Sequence, residues 1–251
     1  MGRTKAFYDW HKTGRMAFID GVTQETLLPL FPVVKFDDFL GIAQDATNDW
    51  AEANDSGTSA AQDIVAGING IYEIDTGTAV DKYGVISSEL TWEALLGCGC
   101  EVRVATKTSD ANLMLVFGFS DAKNESTGTI AFADDSLVAG TVDSVAEDAV
   151  MFGVRAETSD NIYALSVKAN GTPQSTDSGV DLVLTTYHIY RIQLDADGNA
   201  RFYIDGALVA EHLLAVTTTD PLCFSLQALI TAGSTAAFVD IDYVKIWQNR
   251  S

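Results

Sequence analysis

The chain has 251 residues, 47% of them apolar and 20% charged, and a formal net charge of −20. That size and apolar share suit one large domain with a packed core, while the acidity excludes a nucleic-acid-binding body, because neutralising phosphates needs a basic stripe. Cys98, Cys100 and Cys223 are an odd count with no histidine pair at ligand spacing, so neither a disulfide framework nor a metal site is expected, and no other cofactor.

In chain order, residues 1–40 read as an extended N-terminal arm. Arg3, Lys5, Lys12 and Arg15 stand against Asp9 alone, interleaved with Phe7, Tyr8 and Trp10, and Leu30 and Phe31 sit in LLPLFP, whose two prolines resist helix and central strand. A basic, aromatic head on an acidic body is suited to contact with a partner surface, and these nine residues are the candidate anchors. No apolar core of the length a secretory signal needs follows the basic start, so the chain is expected to be made and kept inside a cell, or released with something else. The apolar run 113–119 is too short for a bilayer span, so no membrane partner is expected.

Residues 41–63 read as a polar linker, with Asn54-Asp55-Ser56-Gly57 as a loop, and residues 64–251 as the body. Strand-like runs recur there at 71–75, 83–90, 101–107, 112–119, 150–156 and 162–168, while 134–148 and 169–181 read as long surface loops. At 187–213 the text YHIYRIQLDADGNARFYIDGALVAEHL is a three-stranded meander, folded back at Asp197-Gly198 and again at Asp205-Gly206. Alternation predicts that Ile192, Leu194, Phe202 and Ile204 face inward, and Val244 and Ile246 do the same on the closing strand. No long capped pattern of helical period occurs, so the fold class is all-β, an antiparallel sandwich or barrel.

The meander YRIQLDADGNARFYIDG, the segment VFGFSD at 116–121 and the ending VDIDYVKIWQ at 239–248 resemble the concanavalin A-like lectin/glucanase superfamily over roughly residues 64 to 249. The resemblance implies two curved antiparallel sheets in a jelly roll, with the concave sheet as the usual place for carbohydrate. The fold hosts lectins, hydrolases, laminin-type modules and virion proteins, so it does not choose among them. Retaining glucanases of the superfamily carry E-x-D-x-E or E-x-D-x-x-E, because nucleophile and acid must flank the scissile bond about 5 Å apart. The nearest match is Glu73-Ile74-Asp75-Thr76-Gly77-Thr78, which lacks the second glutamate, so no catalytic residue is assigned.

Asp195, Asp197 and Asn199 begin like a calcium loop, but Ala200 and Gly206 stand where that loop needs glycine and a bidentate glutamate. His11, His188 and His212 are scattered and read as solvated or packed. Trp50, Trp92, Tyr163 and Tyr187 are the candidate glycan-binding aromatics, against the plainer reading that they fill a core.

Three functions remain open on these residues. The first is a non-enzymatic virion protein, similar to a bacteriophage capsid decoration or cement protein. It is made in the host cytoplasm and carried on the capsid exterior, where its arm binds the major capsid protein or other virion subunits, and a homotrimer is the expected assembly. The second is a carbohydrate-binding module or host adhesin with a glycan partner. The third is a divergent glycoside hydrolase or lyase.

Overall fold

The computed structural model describes residues 5–8, 16–19, 26–27, 32–40, 50–54, 61–65, 70–108, 112–123, 146–156, 159–231 and 235–250. β1 (Lys5–Tyr8), β2 (Met16–Ile19) and β3 (Thr26–Leu27) form a small antiparallel sheet that pairs with no other strand among the described residues. Next come β4 (Val33–Asp37), β5 (Ala51–Asn54), β6 (Ala61–Val65), β7 (Ile71–Asp75) and β8 (Tyr83–Ser87). After a 3-10 turn at Ala94–Leu96 the chain runs through β9 (Cys98–Thr108), β10 (Leu113–Ser120), β11 (Ala149–Arg155), β12 (Ser159–Val167) and β13 (Gln174–Asp181). The meander is β14 (His188–Leu194), β15 (Ala200–Ile204) and β16 (Ala207–His212), followed by β17 (Cys223–Ile230) and β18 (Phe238–Gln248).

Two antiparallel sheets face each other. One has the order β13-β12-β11-β10-β17-β8-β5, and the other β16-β15-β14-β9-β18-β7-β6 with β4 also on β18. No α-helix occurs among the described residues, and no helix there is long and apolar enough to cross a membrane. The turn at Asp205-Gly206 has both φ angles positive, 50° and 83°, as a type I′ hairpin requires. At the first turn Asp195 Oδ1 accepts from the main-chain N–H of Asp197 and of Asn199, both at 3.0 Å. That carboxylate is therefore occupied by its own turn, as expected of a hairpin and not of a calcium loop.

Ile192, Leu194, Phe202, Ile204, Val244 and Ile246 all lie in the core between the sheets, as their alternation predicts. The core is knit by rings from both sheets: Phe117 meets Tyr190 at 4.8 Å between centroids, and Phe152 meets Tyr190 at 5.2 Å and Phe202 at 5.3 Å, all edge-on.

The sandwich begins well before residue 64. β4 pairs with β18 from Val33↔Gln248 to Asp37↔Val244, and Phe39 is 1% exposed, so the last part of the expected arm is a strand and a core anchor. The expected linker 41–63 contains β5, most of β6, and Trp50, which is buried against Phe39 and Phe224. Trp50 Nε1 donates to Asp37 Oδ2 at 2.8 Å, a bond across 13 residues that local polarity does not reveal. Within the expected loop 169–181, β13 is an edge strand with mostly exposed side chains. β17 carries no expectation from alternation because all eight of its residues are buried, on both faces of the sheet. Most of the expected loop 134–148 lies outside the described residues.

Phe202 is fully buried beneath Phe152 and His212. Replacing it with Ala is expected to cost about 3–5 kcal/mol in a denaturant titration, the range for emptying an aromatic core site.

Candidate functional site

The outward face of the β16-to-β6 sheet carries an array of paired charges. Glu73 on β7 is the register partner of Asp240 on β18, so the two carboxylates stand on adjacent strands. Lys107 of β9 reaches both, with Nζ 2.7 Å from Glu73 Oε2 and 3.1 Å from Asp240 Oδ1. Tyr187 donates its hydroxyl to Asp240 Oδ2 at 3.1 Å, and Arg103 lies over the Tyr187 ring, 4.4 Å from its centroid, while pairing with Asp242.

Burial raises the pKa of Asp240, and Lys107 partly offsets this. Lys107 is itself raised, first by its bond to Glu73. Burial, then the Asp240 charge, pushes Tyr187 up to about 12. The cluster is thus an acid pair clamped by one ammonium, in which both carboxylates already have a cation. Its chemistry is that of a compensated ion network. The group available to act as an acid and the group available to act as a base, which a glycosidase needs side by side, are held by the same lysine.

The other sheet offers even less for acid–base work. Its central strands β8, β10, β11 and β17 read YGVIS, LMLVFGFS, AVMFGVR and CFSLQALI, without one Asp or Glu among them. Their side chains that face away from the core build a second buried apolar cluster, with Val85, Met114, Val116 and Met151.

The structure scatters the four candidate aromatics. Trp50 (1% exposed) and Trp92 (4% exposed) are core residues and offer no ring face to a sugar; Trp92 Nε1 donates to Ser88 Oγ at 3.1 Å. For these two the plainer reading holds: they fill the core. Tyr163 is half-buried against the second apolar cluster, and Tyr187 belongs to the ion network on the opposite sheet. Of the arm candidates, Lys5, Phe7 and Tyr8 lie in β1 by main chain; Arg3, Trp10, Lys12, Arg15, Leu30 and Phe31 lie outside the described residues.

A residue the sequence reading passed over stands out instead. Trp247 of β18 lies directly over the main chain of Gly99 on β9, where a Cβ would come within 2.5 and 2.7 Å of two indole carbons. Beside it opens a cavity of about 510 Å³, lined also by Leu95, Leu96, Gln193, Asn249 and Arg250. The available signal was Trp247 alternating with inward Ile246, with a glycine at its cross-strand position; the pairing that joins them spans the whole body.

The cysteines are buried thiols. Burial pushes Cys98 up to about 12 and raises Cys100 as well, so neither is a ready nucleophile. No group of three or more His, Cys, Asp or Glu that could hold a metal occurs among the described residues. His188 bonds Asp205 Oδ2 through Nδ1 at 2.6 Å. His212, 2% exposed, bridges the two sheets: Nδ1 is 2.8 Å from Ser166 Oγ and Nε2 is 3.0 Å from Thr176 Oγ1.

Burial lowers His212 from 6.5 to about 4, so between those values the unfolded chain takes a proton that the folded one refuses. Stability at this residue is therefore lost as pH falls through that window, by on the order of 3 kcal/mol at full extent. Denaturant titrations at about pH 7 and about pH 4.5 are expected to show a smaller acid loss for His212→Gln, which has no imidazole to titrate.

No protein family and no curated protein matches the chain by sequence. Solved structures do match. A β-glucanase from Bacillus licheniformis is 12% identical, with a TM-score of 0.56 over 86% of this chain and 98% of that one. The carbohydrate recognition domain of Emp47p is 12% identical, with a TM-score of 0.53 over 81% and 90%. A protein of unknown function from Shewanella oneidensis MR-1 is 14% identical, with a TM-score of 0.57 over 87% of each chain. At these identities the likeness establishes the fold, a concanavalin A-like jelly roll of two antiparallel sheets, which an enzyme and a recognition domain share.

Proposed function

We propose that the protein is a non-catalytic attachment protein, a jelly roll displayed on a larger assembly and held there by its N-terminal segment. The observation that carries this reading is the separate sheet β1-β2-β3, which pairs with no strand of the sandwich among the described residues and leads into β4. A sandwich that completes both of its sheets without this segment leaves the segment available for a partner. Its basic and aromatic composition against an acidic body supports that use.

The assembly we propose is a bacteriophage virion. The protein decorates the capsid exterior as a cement protein after synthesis in the host cytoplasm, contacts the major capsid protein or neighbouring subunits, and associates as a homotrimer. Multivalency would then turn modest contacts by each segment into firm attachment. The absence of enzymatic activity is part of the reading, supported by the lysine-clamped Glu73–Asp240 pair and by the acid-free centre of the other sheet.

Two measurements test it. In co-sedimentation with capsids that lack the protein, the full chain is expected to pellet, while a chain without residues 1–31, which keeps β4 and the whole sandwich, is expected to stay in the supernatant. Equal pelleting of the two would transfer the docking surface to the sandwich. In a reducing-sugar assay on β-glucan no release is expected; release that disappears in Glu73→Gln would make the protein a hydrolase.

A further inference from the structure

The outward face of the β16-to-β6 sheet holds a second feature, apart from the Glu73–Asp240 pair and from the N-terminal segment. Strand register sets one row of outward side chains across six strands: Leu208↔Tyr203, Tyr203↔Arg191, Arg191↔Glu101, Glu101↔Lys245 and Lys245↔Phe36. We infer that this row is the face by which one copy of the chain binds a second copy, taking an acidic edge of its neighbour. The inference rests on the homotrimer of the attachment reading and supplies its interface.

Charge is the first observation. Two cations flank one carboxylate in the row, and Glu101 accepts from the Tyr243 hydroxyl at 3.1 Å instead of closing on either. Neither Arg191 nor Lys245 has a carboxylate partner among the described residues. The Arg191 guanidinium lies over the Tyr203 ring, 4.2 Å from its centroid, with its Nε buried and without a hydrogen-bond partner. Lys245 Nζ stands 5.4 Å from the Trp247 centroid. Elsewhere on this face Arg103, Lys107 and Arg201 are each paired with acids of their own sheet. On a protein of net charge −20, two cations left over in one row attract an acidic surface, and every other copy of the chain brings one.

Apolar surface is the second observation. Leu208 at one end of the row is 51% exposed and Phe36 at the other 57%, with Val34 beside it at 49%. At about 4.8 Å between strands the row runs roughly 24 Å, close to the side of a patch of about 800 Å², the share of one partner in a stable interface. Exposed rings with an arginine among them are the composition of interface centres.

Charge also sets the symmetry. Two such rows facing each other across a two-fold axis would oppose cation to cation. A row set against a different surface avoids this, and such a heterologous contact closes into a ring. β13, an edge strand of the other sheet, offers that surface: it exposes Asp177 and Asp181 and holds no lysine or arginine. The homotrimer is that ring with three members.

Sedimentation velocity over a dilution series tests it, on the full chain at about 0.15 M and about 1 M salt, where the screening length falls from about 8 Å to about 3 Å. A trimer is expected in the lower salt, with association at least tenfold weaker in the higher. Lys245→Glu, at an exposed position, is expected to weaken association at least tenfold, and Phe36→Ser and Asp181→Lys severalfold each. The chain without residues 1–31 is expected to associate as the full chain does, which separates this interface from the attachment segment. Thermal melts accompany the variants; if Phe36→Ser melts early, Lys245→Glu and Asp181→Lys decide. A monomer or a dimer at every concentration, indifference to salt, full association in Lys245→Glu or in Asp181→Lys, or loss of association with residues 1–31 overturns the inference. Capsid co-sedimentation is a separate readout, so a failed interface leaves attachment by the N-terminal segment to be decided on its own.

Discussion

The double pairing of β18 is the constraint on which the rest of this structure depends. Along one edge it runs against β9 from Phe238↔Thr108 to Gln248↔Cys98; along the other its first half takes β7 and its second half takes β4. One strand of 11 residues thus satisfies the backbone groups of three others. It also brings a residue from position 33 and a residue from position 75 into one sheet, which is why the sandwich reaches so far toward the N-terminus. Its inward residues Val244 and Ile246 join the core, while its outward ones carry Asp240 at one end and Trp247 at the other.

Charge placement on that sheet follows from the same geometry. An acidic protein must limit repulsion wherever carboxylates fall on neighbouring strands, and Glu73 beside Asp240 is such a place. Lys107 resolves it, and Tyr187 and Arg103 extend the network. Charged groups on the outward face of this sheet are mostly matched in this way, as Arg201 with Glu211 and Arg103 with Asp242 also illustrate. The Trp247 region departs from that pattern, with an indole laid over the Gly99 main chain beside an open cavity.

The opposite sheet is organised by burial alone. Its central strands are covered on both faces, so Leu113 to Ser120 and Cys223 to Ile230 are continuous buried runs. Packing of this kind raises stability and leaves little room for reactive groups. His212 is a polar exception at the margin, neutral and bonded to hydroxyls of β12 and β13 from the other sheet, and its protonation is the acid-sensitive point of the closure.

From the sequence by itself came the all-β class, the meander at 187–213 with its two Asp-Gly turns, and the inward set Ile192, Leu194, Phe202, Ile204, Val244 and Ile246. These are signals of period two or of local turn chemistry, and a strand with one wet face writes them directly into the chain. The doubly buried β17 has no such period, and β4, β5 and β13 are short or polar strands whose membership in a sheet depends on a partner far away in sequence. The same reason governs the site. Composition alone left Trp50 and Trp92 open between a glycan platform and a core, and the structure places both in the core, with Asp37 and Ser88 accepting from their indole nitrogens. Trp247 looked like one more aromatic on a closing strand. Only the register that sets it over Gly99, beside Gln193 and the turn at Leu96, turns it into the wall of a cavity, because a cavity is a relation among strands and no single stretch of chain contains it.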